Sequence, residues 1–131
     1  MTDNNRPDKL KSYRELDVWQ KAMDLVVAVY EMTQNYPQEE RFGLISQMRR
    51  ASVSIAANIA EGYDRMHQGD YIHHLSFARG SVMEIETHVI ISVRTNMIGR
   101  EKTLEVWDLT QQVGKMLSKL ISSLQTLNPK P

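Results

Sequence analysis

The chain contains no cysteine, which excludes a disulfide framework and thiolate zinc sites and is compatible with a reducing, cytoplasmic setting. Long hydrophobic runs are missing as well. The longest, Leu25 to Tyr30, is bounded by Asp24 and Glu31 and is far too short to span a bilayer, so no membrane partner is expected. The first fifteen residues are polar and hold no apolar core of a secretory signal. Neither sign of charge prevails. Sixteen Lys+Arg face 16 Asp+Glu and leave a formal net charge of +0, which confines any polyanion site to a local patch. Aromatic residues are few and do not interleave with basic ones, so a base-stacking platform is not indicated.

Catalytic signatures are equally scarce. There is no Gly-x-Ser-x-Gly elbow and no phosphate-binding loop, and Ser52 and Ser54 read as small packing residues rather than nucleophiles. Glu84 and His88 stand four apart on one helical face, a spacing that can place two ligands on one ion. No second closely spaced pair such as Glu-x-x-His appears on another helix, so a structural or surface histidine is the better reading. Neither enzymatic activity nor a cofactor is expected.

What is present is helical periodicity. No segment alternates with period two between hairpin signals, and four segments repeat every three to four residues. Trp19, Met23, Val26, Tyr30 and Thr33 predict a first helix over about 16–35, with Asp17 or Ser12 near its start as caps. Pro37, followed by Glu39 and Glu40, marks the start of a second helix that runs to Glu61, with Gly62 as a left-handed stop. Its seam is Phe42, Ile45, Ser52, Ile55 and Ile59, widened by Leu44, Met48 and Ala51. Asp70 is the expected cap of a third helix, whose stripe Tyr71, Leu75, Ala78, Val82, Ile85, Val89 and Ser92 alternates by four and three. Asn96 and Gly99 break the chain before a fourth helix over about 101–126. Its core face is Val106, Val113, Leu117, Leu120, Leu124 and Leu127, and Pro129 closes it. The reading is an all-α, antiparallel up-down-up-down four-helix bundle over 15–127, with a polar arm at 1–14 and a tail at 128–131.

Three groups of residues stand out on this scaffold. The segment Arg49 to Gly62 is rich in Ala, Ser and Ile, and its second face, with Ser54 and Ala57, has a counterpart in Phe77 and Ser81 of the third helix. Such second faces suit a homo-oligomer, although a broad apolar face could also serve a tight monomeric core. If the second and third helices are antiparallel about the turn near residue 65, Arg50 comes level with Ser81 and Gln47 with Glu84. A similar count between the third and fourth helices puts Arg79 beside Ser118 and Lys119. Desolvated arginines need partners, so Arg49, Arg50, Arg79, Glu84 and Asp24 are expected to form a structural ion network, with ligand recognition as the alternative. Arg41, Arg65, Arg94, Lys115 and Lys119, with Arg6, Lys9, Lys11 and Arg14 in the arm, form either a local strip for nucleic acid or ordinary solvating charges.

Three stretches carry a family resemblance: LDVWQKAMDLVVAVYEMT (Leu16 to Thr33), YPQEERFGLISQMRRASVSIAANIAEGYDR (Tyr36 to Arg65) and LSFARGSVMEIETHV (Leu75 to Val89). From about Tyr13 to Leu124 the chain resembles the four-helix-bundle proteins encoded within intervening sequences of bacterial 23S ribosomal RNA genes, also labelled S23 ribosomal proteins. The resemblance implies an up-down bundle assembled as a ring of five. It extends to the accessory variability determinant of diversity-generating retroelements, a basic pentamer that binds its reverse transcriptase and nucleic acid. This chain departs from that relative in being neutral overall. The function so implied is an oligomeric scaffold or accessory protein with structured RNA as partner. The alternative is a scaffold for a protein partner without nucleic acid.

Overall fold

The computed structural model describes residues 12–65 and 67–127, so Arg6, Lys9, Lys11, Pro129 and the 128–131 tail lie outside the described residues. Four helices form an antiparallel up-down-up-down bundle: α1 (Asp17–Thr33), α2 (Ser46–Tyr63), α3 (Gln68–Arg94) and α4 (Leu104–Leu127). No strand occurs among the described residues. Around the bundle α1 packs on α2 and α4, and α3 packs on α2 and α4, with the α2–α3 interface the most extensive.

The heptad of the third helix accounts for its burial: Leu75, Ala78, Val82, Ile85, Val89 and Ser92 are all buried. Each fully buried Leu or Ile contributes roughly 1.5–3 kcal/mol relative to an exposed one. Tyr71, at the head of that stripe, is only half-buried. In α1 the buried stripe is rotated from the one read in the sequence. Val18, Ala22, Leu25, Ala28, Val29, Met32 and Thr33 face inward, whereas Met23 and Tyr30 are exposed and Trp19 and Val26 are half-buried. In α4 the core residues are Val106, Leu109, Thr110, Val113, Leu117 and Ile121; Leu120 and Leu124 pack at its edge, and Leu127 is 77% exposed.

The largest departure lies between α1 and α2. Pro37 leads only into a short 3-10 turn, Gln38–Glu40, followed by a π-type turn, Arg41–Ile45, and α2 proper begins at Ser46. Gly43 is the cause: its φ of −106° and ψ of −112° are not helical, so the i to i−4 ladder cannot run through it. The Glu40 carboxylate accepts from the Leu44 N–H at 3.3 Å and holds the turn. Phe42, expected in the core seam, is thereby turned outward and is 87% exposed.

Gly62 is not a left-handed stop either. It is buried inside α2, and no glycine among the described residues has positive φ. A Cβ there would stand 2.8 Å from His74 Cβ and 3.0 Å from Tyr71 Cδ1, so the glycine permits close approach of α2 and α3. Asp70 falls in the first turn of α3 rather than at its cap, because the helix begins two residues earlier. Ser12 caps the short 3-10 turn Tyr13–Glu15 instead of α1, accepting from the Arg14 N–H at 2.9 Å.

At the end of α3, Asn96 takes φ 64°, and the N–H groups of Met97 and Asn96 donate to the carbonyls of Ser92 at 2.9 Å and Val93 at 3.1 Å. This is a Schellman stop with asparagine in the left-handed place, and it satisfies carbonyls the helix end leaves free. The reversal brings the start of α4 beside the end of α3.

Candidate assembly and nucleic-acid surfaces

A polar ladder joins α2 to α3. His74 Nδ1 donates to Asn58 Oδ1 at 2.9 Å, because Asn58 Nδ2 is already committed as donor to the Ser54 carbonyl at 2.9 Å and Ser54 Oγ at 3.1 Å. Ser81 Oγ completes it, donating to Ser54 Oγ at 3.3 Å. Ser81 therefore meets Ser54, one helical turn beyond the Arg50 level read from the sequence. Ser54 and Ser81, half-buried, are engaged within one chain. Ala57 is exposed beside them, with Phe77 at 56% and Val53 at 46% exposure. The His73 ring meets Phe77 edge-on at 4.5 Å. Phe77, Val53 and Ala57 thus leave apolar surface uncovered on the outer α2–α3 face.

The arginines do not gather on Glu84. Arg49 lies on the α1 side of α2, where Nε donates to Thr33 Oγ1 at 2.9 Å, Nη2 donates to the Tyr30 carbonyl at 3.3 Å, and the guanidinium stacks 4.5 Å from the Tyr30 ring centroid. Thr33 in turn donates to the Val29 carbonyl at 2.8 Å, which fixes its lone pairs toward the guanidinium. Neutral acceptors and a π face replace the expected carboxylate. Glu84 is half exposed and sits 3.4 Å from His88 Nε2, while His88 Nδ1 is buried without a hydrogen-bond partner. Arg50 and Asp24 are exposed and form no ion pair among the described residues. Arg79 donates instead to Ser118 Oγ at 3.3 Å across α3–α4. The five residues thus serve separate contacts, because adjacent positions on a helix such as 49 and 50 point about 100° apart.

Nor do the basic candidates form one strip. Arg65 lies at the α2–α3 turn, and Arg41 and Arg94 at the opposite end of the bundle, with Lys115 and Lys119 along α4; all five are exposed. Arg14 is exposed with its guanidinium 5.6 Å from the Tyr13 ring centroid. What the fold brings together is Arg79 with Lys115, in a cleft of about 360 Å³ between α3 and α4. Glu86 shares that cleft and accepts from Gln111 Nε2 at 2.8 Å, which moderates its charge. Nearer the α3–α4 turn, Arg94 and Arg100 flank a second cleft of about 410 Å³ with an apolar floor that includes Val89, Ile90, Leu104 and Trp107. Arg100 is a residue that sequence reasoning misses. The signal for it is the Asn96–Gly99 break, which folds residues on its two sides onto one flank.

Tyr36 adds a buried polar group near a third cleft, of about 610 Å³, at the α1 end. The residue is 6% exposed and its hydroxyl has no hydrogen-bond partner. Burial pushes its pKa up; the nearby Ser92 side chain opposes this, but that hydroxyl donates to the His88 carbonyl at 2.8 Å, so desolvation prevails. A raised folded-state pKa means that the unfolded chain loses its proton first. The contribution of this group is therefore complete below about pH 10 and is lost as pH climbs through the folded-state value. Tyr36→Phe is expected to be neutral or slightly stabilising at pH 7, and to remove part of the alkaline loss in urea titrations run at rising pH.

Among the described residues no three His, Asp or Glu side chains gather as a metal site, and no helix is long and apolar enough to cross a membrane. The architecture and surfaces define a class: helical-bundle proteins whose specific features lie on their outer flanks. Within that class, residues 14–119 match the 23S rRNA-intervening sequence protein family, and the chain belongs to it. A solved structure from Bacteroides thetaiotaomicron, described as a protein with unknown function from the S23 ribosomal protein family, superposes with a TM-score of 0.71 at 26% identity. The match covers 79% of this chain and 97% of that one. Comparison with curated proteins finds no match.

Proposed function

We propose that this chain is a non-enzymatic, cytoplasmic, homo-oligomeric scaffold or accessory protein that engages structured RNA, with the pentamer of its relatives as its assembled form. The observation that carries assembly is the uncovered apolar surface on the outer α2–α3 face, where Phe77 and Val53 are about half exposed beside Ala57. Support for RNA comes from the family, whose description ties it to 23S rRNA, and from the pairing of Arg79 and Lys115 in one α3–α4 cleft. An assembly brings one such cleft per copy, away from the α3–α4 turn, which multiplies phosphate contacts although the isolated chain is neutral.

The test is titration of the assembled protein with hairpins derived from 23S rRNA over a range of salt. Binding is expected at about 50 mM salt and should weaken steeply toward 200 mM as counterions are released. Lys115→Ala should lower the slope of log K against log salt by about 1 for each phosphate that the missing ammonium no longer neutralises. No binding at low salt removes the RNA reading. The same apolar face would then favour a protein partner, and affinity capture of one stoichiometric protein free of RNA would select that reading.

A further inference from the structure

Two exposed apolar features remain unabsorbed by the α2–α3 face, and they complement one another. The first is Phe42, 87% exposed on the turn between α1 and α2. Its position is well defined, because Glu40 holds the turn through the Leu44 N–H and the Arg41 guanidinium lies 5.9 Å from the ring centroid. A large aromatic held outward by a built turn forms a knob. The second is the cleft between α3 and α4, whose floor includes Ile90, Leu104 and Trp107 and whose rim carries Arg94 and Arg100. Ile90 is 45% and Leu104 58% exposed, so apolar surface there is uncovered.

We infer that Phe42 of one copy inserts into the α3–α4 cleft of a second copy of this chain. Charge favours the pairing. Glu39 and Glu40 precede Phe42, and Glu39 is exposed, whereas both rim residues of the cleft are arginines. Arg41, over the Phe42 ring, keeps its charge and offsets one of the two carboxylates, which leaves the turn acidic by one charge. Topology favours it as well. In an up-down bundle the α1–α2 and α3–α4 connections lie at the same end, and the neighbour relations place those two flanks on opposite sides. Knob and hole therefore stand at one height, back to back. A contact between unlike surfaces at equal height relates successive copies without a shift along the bundle axis, and it closes into a ring when the rotation between copies divides a full turn.

The inference rests on the self-assembly proposed above, and the test separates the two. Because the chain has no cysteine, Gln38→Cys in the turn that carries Phe42 and Arg94→Cys on the rim of the cleft each introduce a single thiol at an exposed position and leave Phe42, Leu104 and Trp107 in place. A tagged Gln38→Cys chain and an untagged Arg94→Cys chain are mixed, exchanged and oxidised. Disulfide-linked dimers of mixed mass are expected. Leu127→Cys, at 77% exposure at the far end of the bundle, serves as control partner and should give none. Phe42→Ser, which leaves the core untouched, should raise the dissociation constant of the assembly at least about tenfold. A multimeric wild type in which mixed dimers are absent, or form equally with Leu127→Cys, overturns the contact and leaves assembly standing. A monomeric wild type overturns both.

Discussion

Gly62→Val is expected to destabilise the fold by about 3 kcal/mol, the upper part of the usual range for forcing volume into a packed interface. The first added carbon already stands 2.8 Å from His74 Cβ and 3.0 Å from Tyr71 Cδ1. His74 Cβ is bonded to its own backbone and cannot swing aside, so α2 and α3 must separate along their extensive interface. Separation also stretches the His74–Asn58 bond of 2.9 Å that lies beside it. Replacing a glycine inside a helix offsets up to about 1 kcal/mol through propensity, less for β-branched valine, and does not reverse the sign. Thermal unfolding should shift downward by roughly 10 °C for a chain of this size. An unchanged midpoint would mean that the helices are not held so close. Gly69, with no neighbour within 4 Å of an added Cβ, is the control and should tolerate alanine.

Ala57→Glu is expected to act on assembly instead. Ala57 is exposed, so a carboxylate there meets water in the single chain and leaves its helices intact. Between copies the same carboxylate is enclosed beside Phe77 and Val53, and desolvating an unpaired charge costs several kcal/mol. The assembled mass at micromolar concentration should fall by scattering, while the helical circular dichroism spectrum is retained. Retained mass would remove Ala57 from the contact. Loss of helix would show that the residue supports the fold itself.

Much of the fold is legible in the sequence because heptad spacing reports burial directly where one stripe dominates. The third helix shows this: the six positions from Leu75 to Ser92 that read as core are the six that are buried. The first helix is harder. Its run of valines makes nearly every face apolar, so periodicity does not decide between the Met23 and Ala22 stripes, and packing on both α2 and α4 selects the latter. Glycine misleads twice for a related reason. Gly43 breaks a helix that Pro37 and two glutamates announce, and Gly62 continues one that it is expected to end. Composition names the residue but not its surroundings: Gly62 lies against His74 and Tyr71 across the α2–α3 interface, whereas Gly43 meets only the Glu40 side chain of its own turn.

The surfaces are less legible than the core. The level of Arg79 with Ser118 follows from counting along antiparallel helices, and the two meet at 3.3 Å. Arg49 does not follow, because its partners, Thr33 and Tyr30, are a hydroxyl, a backbone carbonyl and a ring face that charge pairing does not suggest. Periodicity alone places Phe42 inward. Its exposure depends on the π-type turn, a feature set by the conformation of Gly43 rather than by the spacing of apolar residues.

Self-assembly is the claim on which the functional account rests, and the mass of the native protein in solution tests it most directly. Light scattering coupled to size exclusion at micromolar concentration should return a whole multiple of the 15.1 kDa chain, five copies if the ring of its relatives is kept. A monodisperse species at 15.1 kDa across that range would contradict it.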